Sequence, residues 1–293
     1  MEIFGRPLPA LASQVVLGLV NGSFYAMLSL GLAVIFGTLN IVNFAHGAFY
    51  MVGAFGAFFL LNELGLNYWV ALFVVPLGVG IIGMAVERGL LRHLHGLDPL
   101  YGLLLTFGLS LILEGVFRDF YGSSGRSYPR PAALNGVWDL GFMVLPISRA
   151  WVIGVSLVVC LGTWLVIEKT KLGSTLRAAT ENAALTQAFG VNVPLLVTLT
   201  FGFGVALAGL AGVLAAAAVQ ITPLMASNII IVVFAVVVIG GMGSILGAIL
   251  TGLGLGIVEG LTRVFYPEAS ATVVFVIMAI VLLIRPAGLF GRA

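Results

Sequence analysis

The sequence predicts an all-α, polytopic transmembrane helical bundle, because of its composition, its hydropathy and the length of its uncharged segments. Of its 293 residues, 61% are hydrophobic and 8% are charged, whereas a soluble domain usually has about 25% charged residues. The mean hydropathy is +1.19. So few charged side chains cannot cover a surface exposed to water, which excludes a soluble enzyme and a nucleic-acid-binding protein.

The apolar segments are long enough for about eight (8–10) membrane-spanning helices, since a span needs about 20 mainly apolar residues. No Asp, Glu, Lys or Arg lies between Pro7 and Asn62, which leaves room for two spans. In chain order the predicted spans cover residues 10–36, 40–61, 65–86, 99–117, 150–167 and 195–219, a glycine-rich region at 226–258, and 271–284. The apolar runs are continuous, which excludes the alternating strands of a membrane β-barrel.

Three polar connectors separate these spans, at residues 87–98, 118–149 and 168–194. If the spans alternate in direction, the first and third connectors share one side of the membrane and the second lies opposite. Five basic residues on one side against four on the other do not decide which side is cytoplasmic. Whether the region 226–258 crosses an additional time or re-enters stays open at this point.

A cluster of polar side chains lies inside the second predicted span. If residues 40–50 are helical, Asn43, His46 and Tyr50 share one face, because their spacings are three and four. Polar side chains in hydrocarbon are costly and usually face a bundle interior or an aqueous path. The predicted pathway residues, including two from the first span, are Asn21, Tyr25, Asn40, Asn43, His46 and Tyr50. The alternative is that these side chains only form hydrogen bonds between helices.

The energy source for transport is predicted to lie outside the chain. Glu114 lies near the end of the fourth predicted span and Glu259 directly follows the glycine-rich region, and neither has an obvious intramembrane partner in the sequence. Proton- and sodium-coupled carriers usually need such groups. No H-E-x-x-H, C-x-x-C or P-loop motif occurs, and the lone Cys160 excludes an internal disulfide. We therefore expect no cofactor, no metal site and no enzymatic activity.

The third connector resembles a soluble helix. Residues 175–189 contain neither Pro nor Gly and are rich in Ala, which favours a helix. Arg177 and Glu181 are four residues apart on its expected exposed face, Gly190 ends it, and Pro194 begins the next span. Such a helix can lie on the membrane surface or dock into a groove of another protein.

Several segments together resemble LivH-type permeases, the membrane subunits of branched-chain amino acid ABC importers. They are Asn21–Gly31, Gly31–Phe58, Arg177–Val193 and Val238–Glu259, and they contain the strings NFAHG and GGMGS. The similarity covers nearly the whole chain in the family's order. The chain's length, without an N-terminal extension, is similar to that of the LivH-like subunit rather than its longer LivM-like partner.

The resemblance implies a single transmembrane permease domain over residues 1–293, in the plasma (inner) membrane of a prokaryote. The implied partners are a LivM-like second permease subunit, two ATP-binding subunits and an extracytoplasmic solute-binding protein. Residues 168–194 would be the cytoplasmic coupling loop and residues 118–149 an extracytoplasmic loop. The implied ATPase-coupling residues are Arg177, Ala178, Glu181, Ala184 and Gly190. A helix break or tight packing is expected at Gly240, Gly241, Gly243 and Ser244.

These observations predict half of a solute path that works by alternating access, driven by the partner ATPases. The solute is a branched-chain amino acid or a related small polar molecule, since urea, amide and aromatic-acid importers use similar permeases. The alternative is an ATP-independent channel or a secondary transporter, which would conduct solute without any ATPase.

Overall fold

The computed structural model describes residues 2–3, 6–39 and 41–291, and within them the chain is a helical bundle. The helices are α1 (Leu8–Leu39), α2 (His46–Leu64), α3 (Tyr68–Gly89), α4 (Pro99–Tyr121), α5 (Ile147–Lys169), α6 (Lys171–Glu181), α7 (Ala183–Ala188), α8 (Val193–Ala216), α9 (Met225–Gly240), α10 (Ile245–Phe265) and α11 (Val273–Ile284). Two antiparallel hairpins pair β1 (Glu2–Ile3) with β2 (Arg6–Pro7) and β3 (Val137–Asp139) with β4 (Val144–Pro146). Short 3₁₀ turns cover Leu91–Leu94, Ala132–Leu134 and Pro267–Ala269.

The predicted polytopic bundle is confirmed. In the described part of the chain, seven helices are long and apolar enough to cross a membrane, namely α1 to α5, α8 and α10. Two apolar helices, α9 and α11, are shorter. The glycine-rich region predicted at 226–258 is two helices, which are joined by a turn of four residues between Gly240 and Ile245.

Helix α1 lies at the centre of the bundle, and every residue from Gly22 to Ile35 is buried. Helix α10 runs antiparallel along it, with Gly256 against Gly18 and Gly252 against Ala26. A Cβ atom at Gly256 would overlap the backbone of α1. Glycine therefore allows the two backbones to approach closely, as is common between helices in membranes.

The connectors lie at two opposite ends of the bundle. Residues 87–98 and 168–194 meet at one end, where they line a common cavity, and we call this the connector end. Residues 118–149 lie at the other, the loop end, where Ser13 Oγ donates to the Phe142 carbonyl at 3.3 Å. The loop packs on the bundle through Tyr128, which is buried against Tyr68, and this burial raises the pKa of the Tyr128 hydroxyl.

Two halves of the bundle repeat one order of elements in opposite directions. Helix α1 runs towards the connector end and is followed by a non-helical segment (41–45) and α2, whereas α8 runs towards the loop end and is followed by residues 217–224 and α9. Helix α10 packs along α1 as α3 packs along α8. Helices α1 and α8 cross at Gly31 and Gly204, where a Cβ on either residue would lie 2.7 Å from the other's carbonyl oxygen. Transporter sites often lie at the interface of such inverted repeats.

Candidate solute pathway and partner-docking surfaces

Helix α2 begins inside the bundle, not at one of its ends. His46, its first residue, has Nε2 3.0 Å from the carbonyl oxygen of Leu28 in the middle of α1. Helix α1 continues from Leu28 to Leu39, about 16 Å further at 1.5 Å per residue. Residues 41–45 therefore return into the bundle as a non-helical, re-entrant segment.

The predicted span over residues 40–61 begins too early, since residues 41–45 are not helical and α2 begins at His46, so residues 41–50 do not form one helical face. Asn43 lies within the non-helical segment and does not share a helix with His46 and Tyr50. Asn40 lies outside the described residues, so its pathway role stays a prediction.

Asn43 and His46 are enclosed by the chain itself at the start of α2. Their exposed fractions are 1% and 0%. Within the described residues, both amide atoms of Asn43 and Nδ1 of His46 lack a hydrogen-bond partner. A buried polar group left unsatisfied costs about 1–3 kcal/mol. These residues would meet a solute only after α1, α2 and α8 move apart, so their pathway role stays a prediction.

The other predicted pathway residues also lie within the bundle. Tyr25 and Tyr50 are buried, and Asn21 is half-buried one turn before Tyr25 in α1. The Tyr25 hydroxyl donates to Oε2 of Glu259 at 2.8 Å. Tyr25 therefore connects α1 with α10.

The expectation that Glu259 and Glu114 lack partners is wrong. Arg263 Nη2 lies 2.8 Å from Oε1 of Glu259, and Arg118 Nη2 lies 2.8 Å from Oε1 of Glu114. Each arginine is four residues after its acid, the spacing at which helical side chains meet. The spacing of four residues can be recognised in the sequence, whereas the hydrogen bond from Tyr25 to Glu259 cannot.

An aromatic cluster, formed by Phe44, Phe107 and Phe234, lies where the re-entrant segment meets α4 and α9. The ring centroid of Phe44 is 6.2 Å from that of Phe107 and 5.9 Å from that of Phe234. The backbone N–H of Phe44 donates to Thr106 Oγ1 at 3.1 Å, which fixes the segment to α4. Phe44 is half-buried and Phe107 is exposed. The cluster cannot be predicted from the sequence, because α4 and α9 are remote in the chain.

The third connector is two helices, so the prediction of one helix over residues 175–189 is wrong. Helix α6 ends at Glu181, and Asn182 caps α7 by accepting from the Leu185 N–H at 2.9 Å. Asn favours such a cap because its side chain satisfies a free backbone donor. Gly190, with φ of 87°, follows α7.

The side chains of α6 and α7 divide into a half-buried contact with α5 and an exposed surface. Arg177 is half-buried and lies 3.5 Å from Glu168, at the end of α5, and not on the expected exposed face with Glu181. Ala178, Glu181, Ala184 and Gly190 are exposed. Two large apolar residues join them, Leu185 and Phe189, which are 56% and 81% exposed.

We call the exposed residues Ala178, Glu181, Ala184, Leu185, Phe189 and Gly190 the docking surface. Leu185 and Phe189 were missed by the sequence analysis. The sequence feature that could have identified them is the spacing of four residues between two large apolar side chains in a largely polar connector.

The glycines of the GGMGS string separate α9 from α10. Helix α9 ends at Gly240. In the turn that follows, Gly241 and Gly243 have φ of 100° and 82°. Ser244 Oγ then accepts a hydrogen bond from the Gly247 N–H at 3.2 Å, at the start of α10. A side chain is strained at such φ values. The segment after α11 folds back onto this turn, where the Leu289 N–H donates to the Ile239 carbonyl at 2.8 Å.

Comparisons with known proteins agree with the resemblance in the sequence. The family model described as branched-chain amino acid transport system / permease component matches residues 14–284. The chain is 32% identical to the high-affinity branched-chain amino acid transport system permease protein BraD of Pseudomonas aeruginosa, over 95% of each chain.

Two permease proteins of one named system in Escherichia coli K12 are also similar to the chain. LivH is 30% identical over 94% of each chain. LivM is 30% identical over 90% of this chain and 67% of its own length. The chain therefore belongs to the family of branched-chain amino acid transport system permease components.

Proposed function

We propose that this chain is a membrane permease subunit of an ABC importer in the plasma (inner) membrane of a prokaryote. It forms half of the translocation path for branched-chain amino acids or a related small polar solute, and partner ATPases drive it. The observation that carries the proposal is the docking surface. An 81% exposed phenylalanine, Phe189, directly after the short helix α7 between two spans is best accounted for by a protein partner that covers it.

The docking surface lies on the cytoplasmic side in this proposal, and the ATPase subunits bind there. ATP binding closes the ATPases and displaces α6 and α7. Arg177 transmits this movement, because it links α6 to Glu168 and to the Ile167 carbonyl at the end of α5. The chain itself hydrolyses no ATP in this mechanism and is not an enzyme.

Two of the acidic residues in the bundle support an external energy source. Glu114 and Glu259 each lie 2.8 Å from an arginine of the same helix. A coupling carboxylate has to exchange its proton or ion during transport. A carboxylate held by an arginine is poorly suited to that exchange, which favours the ABC importer over a secondary transporter.

The re-entrant segment supports a second permease subunit. Non-helical backbone at membrane depth is tolerated only where protein covers it or where it lines a water-filled cavity. Val42 and Phe44 of this segment are only half-buried. We infer that a LivM-like subunit covers the face that carries the aromatic cluster and that the solute path runs between the two subunits.

The candidate pathway residues lie close to that face. Asn43 and His46 flank Phe44 in the chain and become accessible when α1, α2 and α8 move apart during the transport cycle. Weak polar contacts suit a path better than a tight site, which would retain the solute. Asn21, Tyr25 and Tyr50 extend the path along α1 and α2, and Asn40 belongs to the same segment of the sequence.

The loop end supports contact with an extracytoplasmic solute-binding protein. Residues 118–149 form the extracytoplasmic loop in this proposal, and their β3–β4 hairpin exposes apolar side chains. Val137, Trp138 and Val144 are 61%, 54% and 57% exposed. Such a patch on a soluble loop is typical of a protein interaction site.

Uptake by reconstituted vesicles tests the proposed function. Vesicles that contain both permease subunits and both ATPases should accumulate radiolabelled L-leucine only with internal ATP and external binding protein. Vesicles with this chain alone should take up none. Uptake through the chain alone would instead establish a channel or secondary transporter.

A further inference from the structure

The connector end contains a cavity of about 450 Å³. The end of α1, the start of α4, the turn at residues 91–98 and the start of α8 form its walls, and residues of α6 and α7 close one side. The cavity therefore lies between helices α6 and α7 on one side and the rest of the bundle on the other. A molecule bound in it would contact both.

The cavity contains a buried carboxylate with an incomplete set of partners. Glu87 is 1% exposed and accepts a hydrogen bond on Oε2 from Thr198 Oγ1. In the described part of the chain, the one basic side chain within 4 Å of its Oε1 is that of His95, whose Nε2 lies at 3.9 Å, which is beyond hydrogen-bond distance. A buried carboxylate is costly unless a positive group pairs with it. One oxygen of Glu87 is thus available for a cationic donor.

The remaining walls supply the other features of an α-amino acid site. Arg92, whose guanidinium can bind a carboxylate in a bidentate manner, lines the same cavity as Glu87. The wall formed by Leu39, Ile41 and Val197 is aliphatic. An acid, an arginine and an aliphatic wall match the ammonium, carboxylate and side chain of an aliphatic α-amino acid.

We propose that this cavity is a regulatory site that binds an aliphatic α-amino acid from the connector end. The ammonium pairs with Glu87, the carboxylate with Arg92, and the side chain packs on Leu39 and Val197. Bound amino acid holds α6 and α7 against the bundle and slows the transport cycle, so that the imported product limits its own uptake. The choice of side and of ligand rests on the proposed function.

Uptake against preloaded product tests this site. Vesicles with the complete importer and internal ATP are loaded with increasing unlabelled L-leucine, and initial uptake of external radiolabelled L-leucine is measured. Internal leucine should inhibit the wild type. Arg92→Gln should raise the half-inhibitory concentration about tenfold or more, because a charge-assisted contact is lost. Arg88→Gln is the matched control, since Arg88 is exposed in the last turn of α3 and does not line the cavity.

The outcomes separate this inference from the proposed function. Normal ATP-dependent uptake that does not respond to internal leucine would overturn the regulatory site alone. Inhibition by internal leucine that is equal in the wild type and in Arg92→Gln would have the same consequence. Uptake without ATPases would overturn the proposed function. Equilibrium dialysis of radiolabelled L-leucine against the ATP-free complex without binding protein gives a second readout. Binding should be weakened about tenfold or more by Glu87→Gln and by Arg92→Gln, and unchanged binding in Arg92→Gln contradicts the proposal.

Discussion

Tyr25 of α1 donates a hydrogen bond of 2.8 Å to Glu259 of α10, and the two residues are 234 positions apart in the chain. The bond connects the central helix with the helix that packs antiparallel along it. Arg263 occupies the other oxygen of the same carboxylate. Together the three side chains satisfy an acidic group that is 8% exposed in the bundle.

Removing the Tyr25 hydroxyl should destabilise the chain. Tyr25→Phe leaves Oε2 of Glu259 without its donor, and we expect a loss of about 1–3 kcal/mol in unfolding free energy. Thermal unfolding in detergent measures this change. Tyr101→Phe is the control, since Tyr101 is 55% exposed on α4. An equal effect of both variants would contradict the role of the bond.

Close packing of α1 and α10 should make Gly256 intolerant of a side chain. The Cβ of Gly256→Ala would overlap the backbone at Gly18 and Gly22, and such overpacking typically costs about 1–3 kcal/mol. Gly254→Ala is the matched control, because nothing lies within 4 Å of a Cβ at that position. We expect a lower melting temperature for Gly256→Ala only. A normal melting temperature would show that the two helices are not packed in this register.

Asn43→Leu should separate stability from transport. Both amide atoms of Asn43 are buried without a partner in the described residues, so an apolar side chain of similar size should leave stability unchanged or raise it. If Asn43 contacts the solute during transport, ATP-driven uptake should nevertheless fall at least about tenfold. The measurements are thermal unfolding and vesicle uptake, with Asn62→Leu at an exposed site as control. Normal uptake by a stable Asn43→Leu variant would remove Asn43 from the pathway.

The docking surface should lose its partner when Phe189 becomes polar. In Phe189→Ser the ATPases should no longer co-purify with the permease, because a large apolar contact is lost. Phe120→Ser is the control, since Phe120 is also 81% exposed but lies on α4 near the loop end. Retained ATPase binding in Phe189→Ser would place the contact elsewhere.

Much of the fold follows from the sequence because long uncharged runs admit few alternatives in a membrane. The predicted spans and the helices differ mostly by a few residues at their ends. The re-entrant segment could not be predicted, because its apolar composition continues into α2. Residues 41–45 read IVNFA and contain neither Gly nor Pro. Its position depends on contacts with Leu28 and Thr106, which are made only in the folded chain.

The candidate site was only partly predictable, for reasons that differ between its parts. The arginine partners of Glu114 and Glu259 lie at the helical spacing of four residues, so they could have been recognised. The exposed pair Leu185 and Phe189 has the same spacing. The buried state of Glu87 was not predictable, because its partner Thr198 is 111 positions away on α8.

The central claim is tested most directly by measuring on which side of the membrane the docking surface lies. Phe189→Cys introduces an exposed thiol, whereas the native Cys160 is 1% exposed and buried in α5. A membrane-impermeant maleimide should label Phe189→Cys in inside-out vesicles only, and bound ATPases should block this labelling. Labelling in right-side-out vesicles would contradict the assignment of this surface to the cytoplasmic ATPases.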